Sequence, residues 1–273
     1  MVKQTTMNNK STFVFALILL MSCASPKTQT TTPPASTQSN LIPDGKLFTS
    51  MFQQKAAEYK ALCFQAYNIA HLRLDQILTE QHSKPLAVVT DIDETVLDNS
   101  PYAVHQALLG KGFDEKSWAE WTSLARADTV PGAHTFFTYA ASKNVEVFYV
   151  TNRSESERVQ TIKNLQLYNF PNADDKHLLL LTTTGSKEPR RQSILQTHEI
   201  VMLCGDNLAD LSNAFDDKKF DSRFKNTQML SAEFGNKFIV LPNANYGDWE
   251  NAFYNLYKPM SKDSAIKIKL TTF

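Results

Sequence analysis

This sequence has no surplus of either charge sign and no cysteine or histidine spacing of the zinc-binding kind. Its 28 lysines and arginines equal its 28 aspartates and glutamates. No basic excess points to a nucleic-acid polymer as partner, and no acidic run points to a solvating tail. Cysteine is scarce, at Cys23, Cys63 and Cys204. A bridge between Cys63 and Cys204 is open in an oxidising compartment, but nothing in the sequence demands one. Two inert buried thiols are the plainer expectation, since free cysteine behaves as a small hydrophobe. The apolar run at residues 13–21 is too short to span a bilayer.

That run follows Lys3 and Lys10 and fits the h-region of a secretory signal peptide over residues 1–22. It ends in Leu20-Met21-Ser22-Cys23, which resembles a bacterial lipobox, with Cys23 as the lipidated residue. Two or three acyl chains on Cys23 would anchor the chain stably to a membrane, whereas one chain binds only marginally. Residues 24–40 are mostly Thr, Ser, Pro and Gln. With Cys23 they read as a tether at 23–40, too poor in apolar side chains to pack. The folded part is expected at 41–273, about 230 residues, which suits one medium-sized domain.

Residues 48–82 carry apolar positions at helical spacing. Short unbroken apolar runs then recur at 86–90, 145–150, 178–181, 200–204 and 238–241. Unbroken runs suit strands buried on both faces of a parallel sheet. Helical segments lie between them at 134–143, 154–169, 188–197 and 207–215. The third-from-last of these opens on Ser154-Glu155-Ser156-Glu157, which has capping-box form. Alternating strands and helices imply an α/β fold, a three-layer, doubly wound parallel sheet. In such sheets the ligand site lies beyond the carboxyl ends of the strands.

Charged and polar residues stand at those ends. Asp91-Ile92-Asp93-Glu94-Thr95 follows the first run and Thr151-Asn152-Arg153 the second. Lys187 comes a few residues beyond the third, and Gly205-Asp206-Asn207-Leu208-Ala209-Asp210 follows the fourth. Asp91 and Asp93 leave an extended backbone on one face, and Asp206 and Asp210 share a face where a helix begins. Carboxylates crowded in this way repel and call for a cation. Oxygen ligands at strand ends suit Mg²⁺, which commonly bridges to phosphate. Lys187 offers a point charge for a phosphate oxygen and Thr151 a hydroxyl. A carboxylate nucleophile divides one hard displacement into two easier ones. Each motif alone is weak, since a lone Asp-x-Asp is more often a metal-free loop or cap; their order and placement carry the reading.

The four motifs resemble those of the haloacid-dehalogenase superfamily. Longer blocks are similar to the class C bacterial acid phosphatases, including the outer-membrane lipoprotein e type. These blocks are Asp98-Asn99-Ser100-Pro101-Tyr102, residues 118–121, Val130-Pro131-Gly132-Ala133, Leu241-Pro242-Asn243 and Tyr246-Gly247-Asp248-Trp249. The resemblance implies a Rossmann-like core with a small, mainly helical cap formed by residues 99–130. It implies hydrolysis of phosphomonoesters, nucleoside 5′-monophosphates among them, through an aspartyl phosphate on Asp91 with Asp93 as general acid and base. It further implies Mg²⁺ held by Asp91, the Asp93 carbonyl and Asp206, with Asp210 steadying these from behind and Thr151 and Lys187 holding the phosphate. Tyr246 matches a tyrosine that stacks on the base; Tyr102, Phe113, Trp118 and Trp121 are further aromatics near the site, for each of which core packing is the plainer role. A homodimer and a place in the bacterial outer membrane follow from the same resemblance. A two-metal nuclease would lack Lys187 and the Gly-Asp-x-x-x-Asp, and a non-catalytic binding lipoprotein would have lost Asp91 or Asp93. Transfer of the phosphoryl group to an alcohol instead of water stays open. The tail after Tyr257 matches nothing and reads as an added edge strand or a disordered end.

Overall fold

Strand β1 (Leu86–Thr90) is wholly buried and lies between β4 (Glu146–Val150) and β6 (Glu199–Gly205), both parallel to it. With β5 (Leu178–Leu179) and β7 (Phe238–Val240) they form a parallel sheet of order β5-β4-β1-β6-β7. The computed structural model describes residues 41–273. The expected leader, the tether and Cys23 lie outside the described residues, among which no helix is long and apolar enough to cross a membrane.

The unbroken apolar runs are explained by the two cores they serve. Alternate side chains of a strand point to opposite faces. Val88, Val147 and Tyr149 pack on one face with Tyr67, Leu74, Phe136 and Phe137. Ala87, Val89, Phe148 and Val150 pack on the other with Ile194, Leu203 and Leu211. Burying each large apolar side chain contributes roughly 1.5–3 kcal/mol, so both faces of the sheet are held by apolar packing. Cys63 and Cys204 are both free and buried, and burial pushes the Cys63 thiol up to about 11.

The expected helix at 48–82 is two helices, α1 (Leu41–Lys55) and α2 (Ala57–Ile77), broken where Ala56 turns extended. α1 starts earlier than the periodicity suggests because Pro43 sits in its first turn, where its missing N–H costs nothing. Next, α3 (Ser100–Leu108) and α4 (Glu115–Ser123) form a helical insertion. Its ends are pinned by a short antiparallel pair, β2 (Leu97–Asp98) with β3 (Asp128–Thr129).

The flanking helices are α5 (Ala133–Ser142), α6 (Arg158–Leu167), α7 (Glu188–Leu195) and α8 (Leu208–Leu211). Before α6 the Ser154 N–H donates to Glu157 Oε2 at 2.8 Å, the reciprocal half of a capping box. α9 (Phe220–Met229) and α10 (Asp248–Leu256) complete the layers. The tail is neither strand nor irregular: it forms α11 (Lys262–Lys269), with Ser261 Oγ accepting the Ser264 N–H at 3.2 Å.

Candidate active site

Strand register assembles the site. Thr90 lies beside Tyr149 on one side and Cys204 on the other, so Asp91, Thr151 and Asp206 follow at three adjacent strand ends. The Asp91 N–H donates to the Cys204 carbonyl at 2.9 Å, which extends the ladder one residue into the loop. Lys187, buried at the start of α7, donates to Asp91 Oδ1 and, at 2.7 Å, to Asp210 Oδ1. Asp210 Oδ2 accepts the Asn207 N–H at 3.0 Å, so both of its oxygens are engaged. Gly205 is required by a close approach. A Cβ there would come within 2.4 Å of Asp210 Cβ and 2.6 Å of its Oδ2, closer than any real contact.

Asp91, Asp206 and Asp210 each offer one oxygen, and these atoms lie within 4.8 Å of one another. Burial pushes the Asp91 carboxyl up to about 7; Lys187 pulls it down while Asp210 and Asp93 push it further up. Asp206 is held well above the usual carboxylate range by burial and by Asp210 and Asp91. One ammonium does not balance three carboxylates, and an all-oxygen set of this kind fits a hard divalent cation. Asp206 is steadied by Asn243 Nδ2 at 2.8 Å and by Thr95 Oγ1 at 3.3 Å.

The Asp93 side chain stands outside that trio. Arg153, itself buried, grips it through Nη2 to Oδ1 at 2.7 Å and through Nε to Oδ1 and Oδ2 at 3.1 and 3.2 Å. Asn99 Nδ2 donates to the same Oδ1 at 2.8 Å. Next along, Glu94 is buried in the left-handed region at φ 57°, a conformation that costs a non-glycine residue about 1 kcal/mol or more. Its carboxyl is pushed up to about 8 by burial and by Asp93. It accepts the Asn99 N–H at 2.7 Å and the Tyr246 hydroxyl. Tyr246 thus anchors its hydroxyl end in the interior while 39% of its surface stays open.

A model of the HAD superfamily, subfamily IIIB (Acid phosphatase), matches residues 10–249. The chain belongs to this family of phosphomonoesterases. It is similar to the class C acid phosphatase from Bacillus anthracis. The two are 40% identical with a TM-score of 0.79, over 85% of this chain and 99% of that one. A second structure, the class C acid phosphatase from Bacillus anthracis with tungstate bound, is 39% identical with a TM-score of 0.81, over 86% of this chain and all of that one. Acid phosphatase 1 from Solanum lycopersicum is 29% identical over 132 residues, 45% of this chain. The Stem 31 kDa glycoprotein from Glycine max is 26% identical over 126 residues, 44% of this chain. The chain spans about half the length of these two plant relatives, 51% and 50%. Phosphatases of this superfamily generally use a divalent metal, which agrees with the oxygen donors found here.

Within this acid phosphatase fold, Asp91, Lys187, Asp206 and Asp210 converge as the spacing suggests, and Thr151 is buried at the end of β4. Its hydroxyl accepts the Arg153 N–H at 3.2 Å. Arg190 joins the loops bearing Thr151 and Lys187. It donates to the Thr151 carbonyl at 2.5 Å, to Asn152 Oδ1 at 2.7 Å and to the Ser186 carbonyl at 3.1 Å. Sequence reasoning assigned no role to Arg153, Arg190, Glu94, Asn99 or Asn243. The signal for Arg153 was its place two residues beyond Thr151, just past the carboxyl end of an apolar run. No local signal marks Asn245, whose buried side chain ties α1 to the loop before Tyr246. Its Oδ1 accepts Thr49 Oγ1 at 2.5 Å and Ser50 Oγ at 3.2 Å, and its Nδ2 donates to Gln53 Oε1 at 2.8 Å.

Proposed function

We propose that the chain is a Mg²⁺-dependent acid phosphatase that hydrolyses phosphomonoesters, nucleoside 5′-monophosphates among them, through an aspartyl phosphate on Asp91. The observation that carries this reading is the buried pair of Asp91 and Lys187 beside two further carboxylates. It gives a nucleophile, a phosphate-binding ammonium and cation ligands at one point. Asp91 attacks phosphorus as the bond from phosphorus to the ester oxygen breaks, and Asp93 gives its proton to the departing oxygen. Asp93 then takes a proton from water as that water attacks the aspartyl phosphate, and phosphate leaves with Asp91 restored. Thr151 and Lys187 hold the phosphoryl oxygens throughout. The Asp91 and Asp206 carboxylates and the Asp93 carbonyl would hold Mg²⁺, which would supply charge neutralisation for the phosphoryl group. Asp210 keeps Lys187 and the Asn207 turn in place, since both of its oxygens are already committed. Binding of tungstate, another oxyanion, by the Bacillus anthracis relative is in keeping with a phosphate-binding protein of this fold.

The open ring of Tyr246, tethered at its hydroxyl, favours a base stacked over it and hence a nucleotide substrate. The test is phosphate release by the full chain with Mg²⁺ from an aryl phosphate and a panel of nucleoside monophosphates. Asp91→Asn is expected to lower turnover by about 10⁴-fold or more, and EDTA to remove it reversibly. Activity surviving Asp91→Asn overturns the nucleophile assignment. The leader at 1–22, acyl anchoring at Cys23, an outer-membrane location and pairing of two copies belong to the same proposal. The leader and anchor rest on the residue pattern at 1–23, and the location and pairing on the family resemblance. Cys23→Ala is expected to release the protein from the membrane fraction, and sedimentation is expected to give twice the chain mass. Running the assay with added alcohol separates hydrolysis from phosphotransfer.

A further inference from the structure

The insertion helix α4 reaches the Asp93 carboxylate by two routes. Along the first, Trp121 Nε1 lies 2.8 Å from Asn99 Oδ1. An indole N–H only donates, so the Asn99 atom it meets is the oxygen, and the Asn99 NH₂ must face the other way. It faces Asp93 Oδ1 at 2.8 Å. Along the second, the Arg153 guanidinium lies over the Trp118 ring, 5.8 Å from its centroid. Trp118 is braced edge-on by Tyr102 at 5.1 Å. The Tyr102 hydroxyl in turn accepts the Asp114 N–H at 3.1 Å and Gln106 Nε2 at 2.9 Å. Arg153 is fixed from behind as well, by Nη1 to Thr161 Oγ1 at 3.1 Å.

These contacts make the two Asp93 oxygens unequal. Oδ1 accepts from Arg153 Nη2, Arg153 Nε and Asn99 Nδ2 at 2.7, 3.1 and 2.8 Å, whereas Oδ2 meets Arg153 Nε at 3.2 Å. An oxygen facing three N–H donors has no room for a proton. We propose that α4, through Trp121 on Asn99 and Trp118 on Arg153, positions Asp93 so that Oδ2 is the atom that carries the proton to the leaving oxygen. Trp118 and Trp121 are then positioning residues for proton transfer, and the insertion is coupled to the chemistry. This inference rests on the reading of Asp93 as proton donor. In the step concerned, the Oδ2–H bond breaks as the ester oxygen leaves phosphorus. The proton ends on the alcohol product and Asp93 is left as carboxylate.

Proton donation matters most when the departing alkoxide is strongly basic and little when it is a nitrophenolate. The test is kcat/KM of the full-length enzyme with Mg²⁺ for an alkyl phosphate and for nitrophenyl phosphate, at one pH. Trp121→Phe keeps a ring but removes the N–H. It is expected to lower the alkyl value by about tenfold or more and the aryl value by less than about threefold. Asn99→Ala is expected to show the same selectivity, and the double variant to lose no more than Asn99→Ala alone, because the two act in series. Equal losses on both substrates, with Asp93→Asn still selective for the alkyl ester, overturn the relay and leave Asp93 as the acid. An Asp93→Asn variant that treats both substrates alike removes the proton donor, and the relay with it. Should Trp121→Phe fail to fold, Asn99→Ala decides by the same criterion.

Discussion

Two clusters of ionisable side chains stand at opposite ends of the same parallel sheet, and they are built on opposite rules. At the carboxyl ends, Asp91, Asp206 and Asp210 share Lys187, and burial with mutual repulsion pushes Asp91 up to about 7. At the amino ends, Glu146 opens β4 and receives Lys176 Nζ at 2.9 Å, His177 Nε2 at 2.9 Å and His198 Nε2 at 3.3 Å. Phe148 lies between the two imidazoles, 4.9 and 5.0 Å from their centroids. Burial opposes ionisation of Glu146, but bonds from Lys176, His177 and His198 prevail and hold its carboxyl down at about 2. The lower cluster satisfies its own charge and needs nothing further. The upper one is left short of positive charge, as expected of a site that spends stability on binding a cation and a phosphoryl group.

Removing an acid from each end tests the contrast most strongly. Asp206→Asn is expected to lower kcat/KM by about 100-fold or more while raising the melting temperature of the metal-free protein, because a repulsion is relieved. Mg²⁺ should stabilise the wild type in a thermal melt and this variant far less. Loss of melting temperature in metal-free Asp206→Asn would mean that the upper cluster is structural after all. A smaller effect is expected from Glu146→Gln. Activity should stay within about twofold, and stability should fall by about 1 kcal/mol, discounted for the partial exposure of Glu146. For a domain of this size that is a melting shift of roughly 2–4 °C.

The most direct comparison of the two ends is in the pH dependence of stability in EDTA. Asp91 has a raised carboxyl, so its contribution is full below its ordinary 3.8 and is lost as pH rises toward about 7. Glu146 has a lowered one, so its contribution is full above its ordinary 4.5 and is lost as pH falls toward about 2. Wild type minus Asp91→Asn and wild type minus Glu146→Gln should therefore slope in opposite directions with pH, as read by thermal melts. Parallel slopes would erase the distinction.

The upper cluster was legible in the sequence and the lower one was not. Each upper acid or base directly follows, or closely trails, an apolar run, so chain order alone predicts convergence once the sheet is recognised as parallel. Glu146 is the first residue of β4, and His177 and His198 immediately precede β5 and β6, so all three stand at the amino ends, away from the usual ligand side of such a sheet, and none carries a local signal. The break at Ala56 was hidden because the apolar spacing of α1 and α2 runs through it. The tail helix was hidden because Ile266-Lys267-Ile268-Lys269 alternates like a strand, yet the Ser261 cap and lysines in the last turn favour a helix.

The sequence by itself determined the sheet, its five apolar strands and the residues at their carboxyl ends, because an unbroken apolar run and attachment to a strand end are local properties. Only the tertiary structure decided how those residues are held. Arg153 meets Asp93 across 60 residues, Tyr246 meets Glu94 across 152, and Asn245 meets Gln53 across 192. Hydrogen bonds are directional and short, so which donor faces which oxygen is settled by the packing of α1, α4 and the loop after β7. No periodicity along the chain records that geometry.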